Sequence, residues 1–334
     1  MARTYLAALC LFVTWFCYAK ELPQTADARR ELGAALFNDR ALSADGRVAC
    51  SDCHRPEHAF SDDHPRSTGA FGRIGNRNAP SLLGVGTSTV YFWDGRRTRL
   101  EDAVHDPFFM PFELGLRDER DLLERLDNID YRRRFEAAFP DAPDASMDHV
   151  EAALASYLRS LANDGTRPRE TSRTDPTLDR RVAMGKRLFF GKAQCVACHE
   201  ASADSGRYTD DRFHPSALGT RKLAAQLPQL VPLGMSKATD VEAVGRLSGE
   251  NRDLAELGRF LVDKQPAHVN AFRTPSLLNV AATAPYMHDG SVATLEQAVD
   301  LEIYYRGLES GRPLQLTSEE RTELVFFLKT LRTP

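Results

Sequence analysis

Two short motifs carry chemistry beyond the reach of ordinary side chains: Cys50-Ser51-Asp52-Cys53-His54 and Cys195-Val196-Ala197-Cys198-His199. A thiol pair in CxxC spacing followed at once by an imidazole is the pattern for covalent attachment of a c-type haem. Both sulfurs add to the porphyrin vinyl groups, and the histidine ligates the iron. Zinc knuckles or CxxC disulfides are the alternatives, and both leave the two identically placed histidines without a task. Of the six cysteines, the other two, Cys10 and Cys17, fall in an expected signal peptide, so no thiol is left over. The expected cofactors are therefore two haem c groups, held by Cys50, Cys53 and His54 and by Cys195, Cys198 and His199.

Two haems ask for two holding units, and the sequence repeats. Asn78-Ala79-Pro80-Ser81-Leu82-Leu83, Trp93-Asp94-Gly95 and Leu100-Glu101-Asp102-Ala103-Val104 follow the first motif. Arg273-Thr274-Pro275-Ser276-Leu277-Leu278, His288-Asp289-Gly290 and Leu295-Glu296-Gln297-Ala298-Val299 follow the second. Pro to Asp is 14 residues in both halves, and Asp to Leu is 6 in both. His54 to Pro80 is 26 residues and His199 to Pro275 is 76, so the second half carries an insertion of 50.

The elements that position these motifs read as helices. Val150, Leu154, Tyr157, Leu158 and Leu161 share one face at a period of about 3.6. Leu324, Val325, Leu328 and Leu331 share another, opened by a Thr317-x-x-Glu320 capping box. Helices are also expected over 118–126, 131–139, 178–190, 251–262 and 294–305, while strand-like alternation is nearly absent. The polar, proline-containing stretch 164–177 reads as a linker. The expected organisation is a signal peptide over 1–19, an N-terminal domain over 20–163, the linker, and a C-terminal domain over 178–334. The insertion over 204–265 looks loop-rich at its start and has no role legible in its residues.

The segment from Tyr5 to Tyr18 is largely apolar, follows Arg3, and ends in Cys17-Tyr18-Ala19, which resembles a signal-peptidase site. Export to the periplasm with cleavage near Ala19 is expected. The run is too short to cross a hydrocarbon core of ~30 Å, so no integral membrane segment is expected. With 42% hydrophobic and 27% charged residues the chain reads as a soluble globular protein. Its net charge of −4 and lack of a basic tract exclude nucleic acid as a natural partner.

Together these features resemble the bacterial di-haem cytochrome c peroxidase and MauG family. The markers are both CxxCH sites, Arg77-Asn78-Ala79-Pro80, Phe92-Trp93-Asp94-Gly95-Arg96, Glu113, and the run from Thr283 through Pro285 to Gly290. The resemblance implies an all-α fold of two cytochrome c-like domains, a peroxide-reacting N-terminal haem, an electron-transferring C-terminal haem, and a calcium ion between them. It implies that Glu113 is the distal acid/base and that Trp93 lies between the haems. Asn78 would be the side-chain ligand of Ca2+, with the backbone carbonyls of Thr283 and Pro285.

Splitting O–O at iron needs an open coordination position and a nearby group that moves a proton from one oxygen to the other. A carboxylate in the apolar run Pro111-Phe112-Glu113-Leu114 has its charged form disfavoured, which suits a shuttle near neutral pH. At the repeat position where relatives carry the sixth ligand of the second haem, methionine in peroxidases and tyrosine in MauG, this chain has Glu302. The matching residue of the first half is Pro107, which has no atom to offer a metal. Either Tyr304, after a local bulge, or Glu302 would cap the second iron, with Tyr304 favoured. Met287 reads as a packing residue.

Two further positions depart from the resemblance. Ser67-Thr68-Gly69-Ala70 stands where reductively activated peroxidases have a Ser-x-Gly-His loop, so no blocking histidine is expected unless His58 or His64 substitutes. Ala103 replaces a pocket glutamine, leaving peroxide positioning to Glu113 or His105. The expected function is an exported di-haem peroxidase that reduces hydrogen peroxide to water at the N-terminal haem. Electrons would come through the C-terminal haem from a small soluble cytochrome c or cupredoxin. A MauG-like oxidation of side chains in a protein substrate is the alternative, and a non-catalytic electron carrier the less favoured third. A homodimer is compatible with this reading.

Overall fold

The computed structural model describes residues 23–161, 176–200, 206–216, 223–309, 311 and 313–332. The expected signal peptide lies outside these residues, as does the expected linker up to residue 175; Pro176 and Thr177 already open a helix. In chain order the helices are α1 (Pro23–Asn38), α2 (Cys50–Cys53), α3 (Leu100–Phe109), α4 (Glu119–Leu126), α5 (Ile129–Ala138), α6 (Met147–Ser160) and α7 (Pro176–Phe190). There follow α8 (Leu227–Lys237), α9 (Val241–Glu250), α10 (Arg252–Ala255), α11 (Phe260–Asp263), α12 (Leu295–Glu309) and α13 (Ser318–Leu328). Short 3-10 turns join many of them. The fold is thus helical, as its periodicity implies.

Asp118, Asn128 and Ser146 each accept a hydrogen bond from the amide three residues on, which satisfies an orphan donor and fixes where α4, α5 and α6 begin. The Thr317/Glu320 capping box forms in both directions, at 3.1 and 2.8 Å. The expected helix over 251–262 is instead two single turns, α10 and α11. Gly258 separates them with a φ of +57°, because the backbone of Ala271 passes where a side chain at 258 would sit. The strands β1 (Phe213–Pro215) and β2 (Ala271–Arg273) pair antiparallel there, Phe213 opposite Arg273.

Each half is built on a crossed helix pair. In the first, Leu32 and Leu36 of α1 bury against Val150 and Leu154 of α6. In the second, Leu188 and Phe189 of α7 bury against Leu324, Phe327 and Leu328 of α13. Gly33 and Gly185 sit at the two crossings, where an added Cβ would overlap the carbonyls of Ala153 and Glu323. The sequence pattern does not announce α1, yet Gly33-Ala34-Ala35-Leu36-Phe37 and Gly185-Lys186-Arg187-Leu188-Phe189 repeat the same Gly-x-x-Leu-Phe signature. The insertion adds a third, smaller core of Leu230, Val244, Leu254, Leu257, Phe260 and Leu261.

The repeats join crosswise. The amide of Asn78 donates to the carbonyl of His288 at 3.0 Å, and the amide of Arg273 donates to the carbonyl of Trp93 at 2.8 Å. Asn78 and Arg273 are repeat equivalents, and so are Trp93 and His288, so one backbone bond is made twice about a pseudo-twofold. Among the described residues no helix is long and apolar enough to cross a membrane. Gly33→Ala is expected to cost about 1–3 kcal/mol through overpacking at the α1–α6 crossing. A thermal unfolding midpoint equal to that of the parent would show that these helices do not touch there.

Candidate functional site

The two CxxCH motifs adopt nearly the same local structure. His54 closes the turn of α2 through its amide to Cys50 O at 2.9 Å, and His199 does the same to Cys195 O at 2.9 Å. Each ring then donates from Nδ1 to a carbonyl on the following loop, that of Phe60 at 3.0 Å and that of Tyr208 at 2.9 Å. Those two acceptor residues both sit in the left-handed region, with φ of 57° and 54°. With Nδ1 carrying the proton, Nε2 presents its lone pair, the tautomer that a metal-binding imidazole needs. Burial lowers the pKa of His54 and brings that of His199 to about 4, so both rings are neutral at neutral pH.

The thiols of Cys50, Cys53, Cys195 and Cys198 are free, and burial pushes Cys50, Cys53 and Cys195 to about 12. Among the described residues no disulfide is formed. Among the described residues the groups able to gather round a metal ion are Asp62, Asp63 and His64, and Glu256, His288 and Asp289; neither includes a cysteine. Paired thiols in CxxC spacing beside an imidazole whose Nε2 is left open fit a covalent haem in each half.

The halves diverge at the helix that follows. Pro107 of α3 and Glu302 of α12 both stand 27 residues past the repeat proline. Proline has no amide to give, and α3 ends two residues later at Phe109. Its last carbonyls are taken up by the loop that folds back beneath it. Leu114 N donates to Pro107 O at 3.1 Å, Leu116 N to Phe108 O at 2.8 Å, and Glu113 N to Met110 O at 3.0 Å. Ala70 N donates to Glu113 O at 2.7 Å, and Gly69 approaches so closely that a Cβ there would overlap the carbonyls of Phe112 and Glu113. The segment Ser67–Ala70 is therefore fixed against the glutamate loop by its backbone, with a buried methyl at Ala70.

The carboxylate of Glu113 makes no hydrogen bond or ion pair within the described residues. Desolvation raises its pKa to about 7; Arg96 works against the rise and Asp106 adds to it. The negative charge of Glu113 in turn pushes Cys50 and Cys53 upward, so the carboxylate lies within electrostatic reach of the first haem-attachment pair. Arg96 is itself held by Asp106 at 3.1 Å and Asp94 at 3.2 Å, and its guanidinium lies 3.4 Å from the ring centroid of Phe92. Arg96 belongs to the Phe92-Trp93-Asp94-Gly95-Arg96 marker, whereas no local pattern identifies Asp106.

In the second half α12 runs unbroken to Glu309, and there is no bulge. Leu295, Ala298 and Val299 point into the core, and at about 100° per residue Glu302 and Arg306 continue that stripe. Tyr304 lies on the opposite side, exposed, with its ring edge-on to Tyr305 at 5.4 Å. The charge of Glu302 raises Cys195, and that of Arg306 lowers His199, so both lie within electrostatic reach of the second attachment site. Arg306 Nε lies 3.4 Å from Glu302 Oε2.

The remaining candidates are placed as follows. Trp93 stands at the seam of the halves, its indole donating to Asn78 O at 2.9 Å. Asn78 is buried and joined to His288, three residues past Pro285; Thr283 Oγ1 turns to Val280 O at 3.1 Å. His64 lies 2.7 Å from Asp63 and His58 3.6 Å from it. His105 Nδ1 is engaged by Glu151 at 2.7 Å. Met287 is partly buried in the seam loop at a φ of 72°.

A profile of the di-haem cytochrome c peroxidase family, which includes MauG, matches residues 27–178. Over 90% of this chain and 77% of its own length, the methylamine utilization protein MauG of Methylorubrum extorquens is 32% identical. The cytochrome c551 peroxidase of Nitrosomonas europaea is 30% identical over 92% of this chain and 81% of its own. Among solved structures, a MauG-like protein associated with microbial copper homeostasis superposes with a TM-score of 0.73 at 30% identity, covering 92% of this chain and 89% of the other.

Replacing Cys195 and Cys198 together by alanine is expected to halve the haem-to-protein ratio while the His54 site stays loaded. A ratio unchanged by the double substitution would contradict covalent attachment at the second motif.

Proposed function

The chain belongs to the di-haem cytochrome c peroxidase and MauG family and is a haem-dependent oxidoreductase of the peroxidase type with two c-type haems; from that premise we propose that it reduces hydrogen peroxide to water beside Glu113, with reducing equivalents entering through the C-terminal half. The single observation that carries this reading is the unpaired, desolvated carboxylate of Glu113 within electrostatic reach of the first CxxCH site. When bound, the iron supplies an open coordination position and the electrons that split the O–O bond.

The protein's share is proton management. Peroxide seated between the His54 site and Glu113 gives a proton from its nearer oxygen to the carboxylate. The same proton passes to the farther oxygen, which leaves as water. Two electrons and two further protons complete the balance, H2O2 + 2 e− + 2 H+ → 2 H2O. Glu113 returns to its starting state. Pro107 keeps the face free of a side-chain ligand, and Ala70 removes the histidine that would block it.

In the C-terminal half we assign the sixth-ligand role to Glu302 in preference to Tyr304, because Glu302 shares the inward stripe of α12 and Tyr304 does not. The Trp93 indole at the seam provides a π system between the halves, and Asn78 with the carbonyls of Thr283 and Pro285 would supply the calcium shell. A periplasmic location, a domain boundary near 164–177, and a small cytochrome c or cupredoxin as donor belong to the same proposal. A second reading, oxidation of side chains in a partner protein, is supported by the absence of methionine at 302 and of a blocking histidine at 70. Rapid oxidation of a reduced small cytochrome after stopped-flow mixing with peroxide favours the first reading; a long-lived oxidised state indifferent to that donor favours the second.

Glu113→Gln is expected to slow peroxide turnover by roughly 100-fold or more with both haems attached; undiminished turnover would remove Glu113 from the reaction. Because the ionised carboxylate is the proton acceptor, the rate should fall as pH drops below about 7 and plateau above it. A pH-independent rate across that window would contradict the assignment. Glu302→Gln should alter the spectrum of the C-terminal haem and Tyr304→Phe should leave it unchanged; the reverse result would exchange their roles.

A further inference from the structure

The carboxylate of Glu113 is held only through its backbone and its neighbours, so its orientation depends on what grips the loop over 110–113. That grip comes from the other half of the chain. Helix α9 of the insertion lies across the loop and presents two glycines one turn apart. A Cβ at Gly245 would stand 3.1 Å from Met110 Cε and 3.3 Å from Arg96 Nε. A Cβ at Gly249 would overlap the tip of the Phe112 ring at Cζ, and one at Gly75 would stand 2.9 Å from Cδ2 on its edge. Phe112 is thus seated in a slot lined by glycines at its tip and along one edge.

The helix is pinned to the same charged group that surrounds Glu113. Ser248 Oγ donates to Asp94 at 3.2 Å, Glu242 accepts from Arg97 at 2.7 Å, and Arg97 in turn holds Asp106 at 2.7 Å. Asn76 Nδ2 donates to Gly249 O at 2.7 Å, which ties one wall of the slot to the other. Side-chain volume at position 249 is therefore converted directly into movement of the residue next to Glu113.

We infer that α9, carried by the C-terminal half, is the positioning element for the proton-transferring glutamate of the N-terminal half, acting through the Gly75–Phe112–Gly249 slot. This rests on the reading of Glu113 as proton acceptor. It gives the 50-residue insertion a task in the chemistry of the opposite domain. Gly249 and Phe112 are positioning residues; neither touches peroxide.

The test uses the haem-loaded full chain and stopped-flow mixing with hydrogen peroxide across pH, with Glu113→Gln as reference. The groups facing the carboxylate are Arg96, Asp106, Cys50 and Cys53, and all are left in place. Gly249→Ala is expected to slow the peroxide reaction by about tenfold or more and to displace its pH midpoint, with haem content unchanged. Gly249→Ala/Phe112→Ala, in which the overlap is gone, should react at the rate of Phe112→Ala alone. A parental rate and midpoint in Gly249→Ala, beside a slow Glu113→Gln, overturns the positioning role and spares the acid–base reading. Undiminished reaction in Glu113→Gln overturns both. Should Gly249→Ala load no haem, Ser248→Ala/Glu242→Gln loosens the helix without adding volume; a displaced midpoint then supports the inference, and an unmoved one overturns it.

Discussion

A helix that stops must hand its last carbonyls to other donors, and at the end of α3 that requirement builds the candidate site. Pro107 offers no amide, and the chain ends the helix and turns back under it. The amides of Glu113, Leu114 and Leu116 then cap the carbonyls of Met110, Pro107 and Phe108. The backbone of Glu113 is fixed by this capping. The equivalent helix α12 meets no proline and continues over the second face with Glu302 and Arg306 on its inner stripe. The two repeat helices thus differ in length after this position, α3 ending at Phe109 and α12 at Glu309.

The two halves are not independent modules placed side by side. The reciprocal bonds from Asn78 to His288 and from Arg273 to Trp93 join them backbone to backbone, independently of the side chains at those positions unless proline takes the donor's place. The salt-bridged group of Asp94, Arg96, Arg97 and Asp106 is closed by Glu242 and Ser248 from the insertion. The four charges already pair with one another, and the bonds to Glu242 and Ser248 tie that group to the insertion. The loop that carries Glu113 thus packs against residues supplied by the second half.

Much of this was legible in the residues. The CxxCH spacing, the repeat, the Pro107/Glu302 asymmetry and most of the long helices follow from local rules. The sequence offers Tyr304 only through a local bulge, which α12 does not contain; helical phase puts Glu302 on the stripe of Leu295, Ala298 and Val299 and Tyr304 opposite it. Helix α1 was missed because its local pattern is weak, although the Gly-x-x-Leu-Phe pair at 33–37 and 185–189 marks it. The expected single helix over 251–262 was broken by Ala271, a neighbour distant in sequence that crowds Gly258.

The sequence by itself determined which groups can bind and react: paired thiols with adjacent imidazoles, one carboxylate in an apolar run, and a proline where its twin half has a glutamate. These are properties of residue type and short spacing, which a chain carries whether or not it is folded. Only the tertiary structure decided how far that carboxylate is desolvated, that Arg96 and Asp106 oppose one another beside it, and that a helix from the far half grips the loop it stands on. Those depend on which surfaces meet across more than a hundred residues of chain, and burial and charge proximity exist only once they have met.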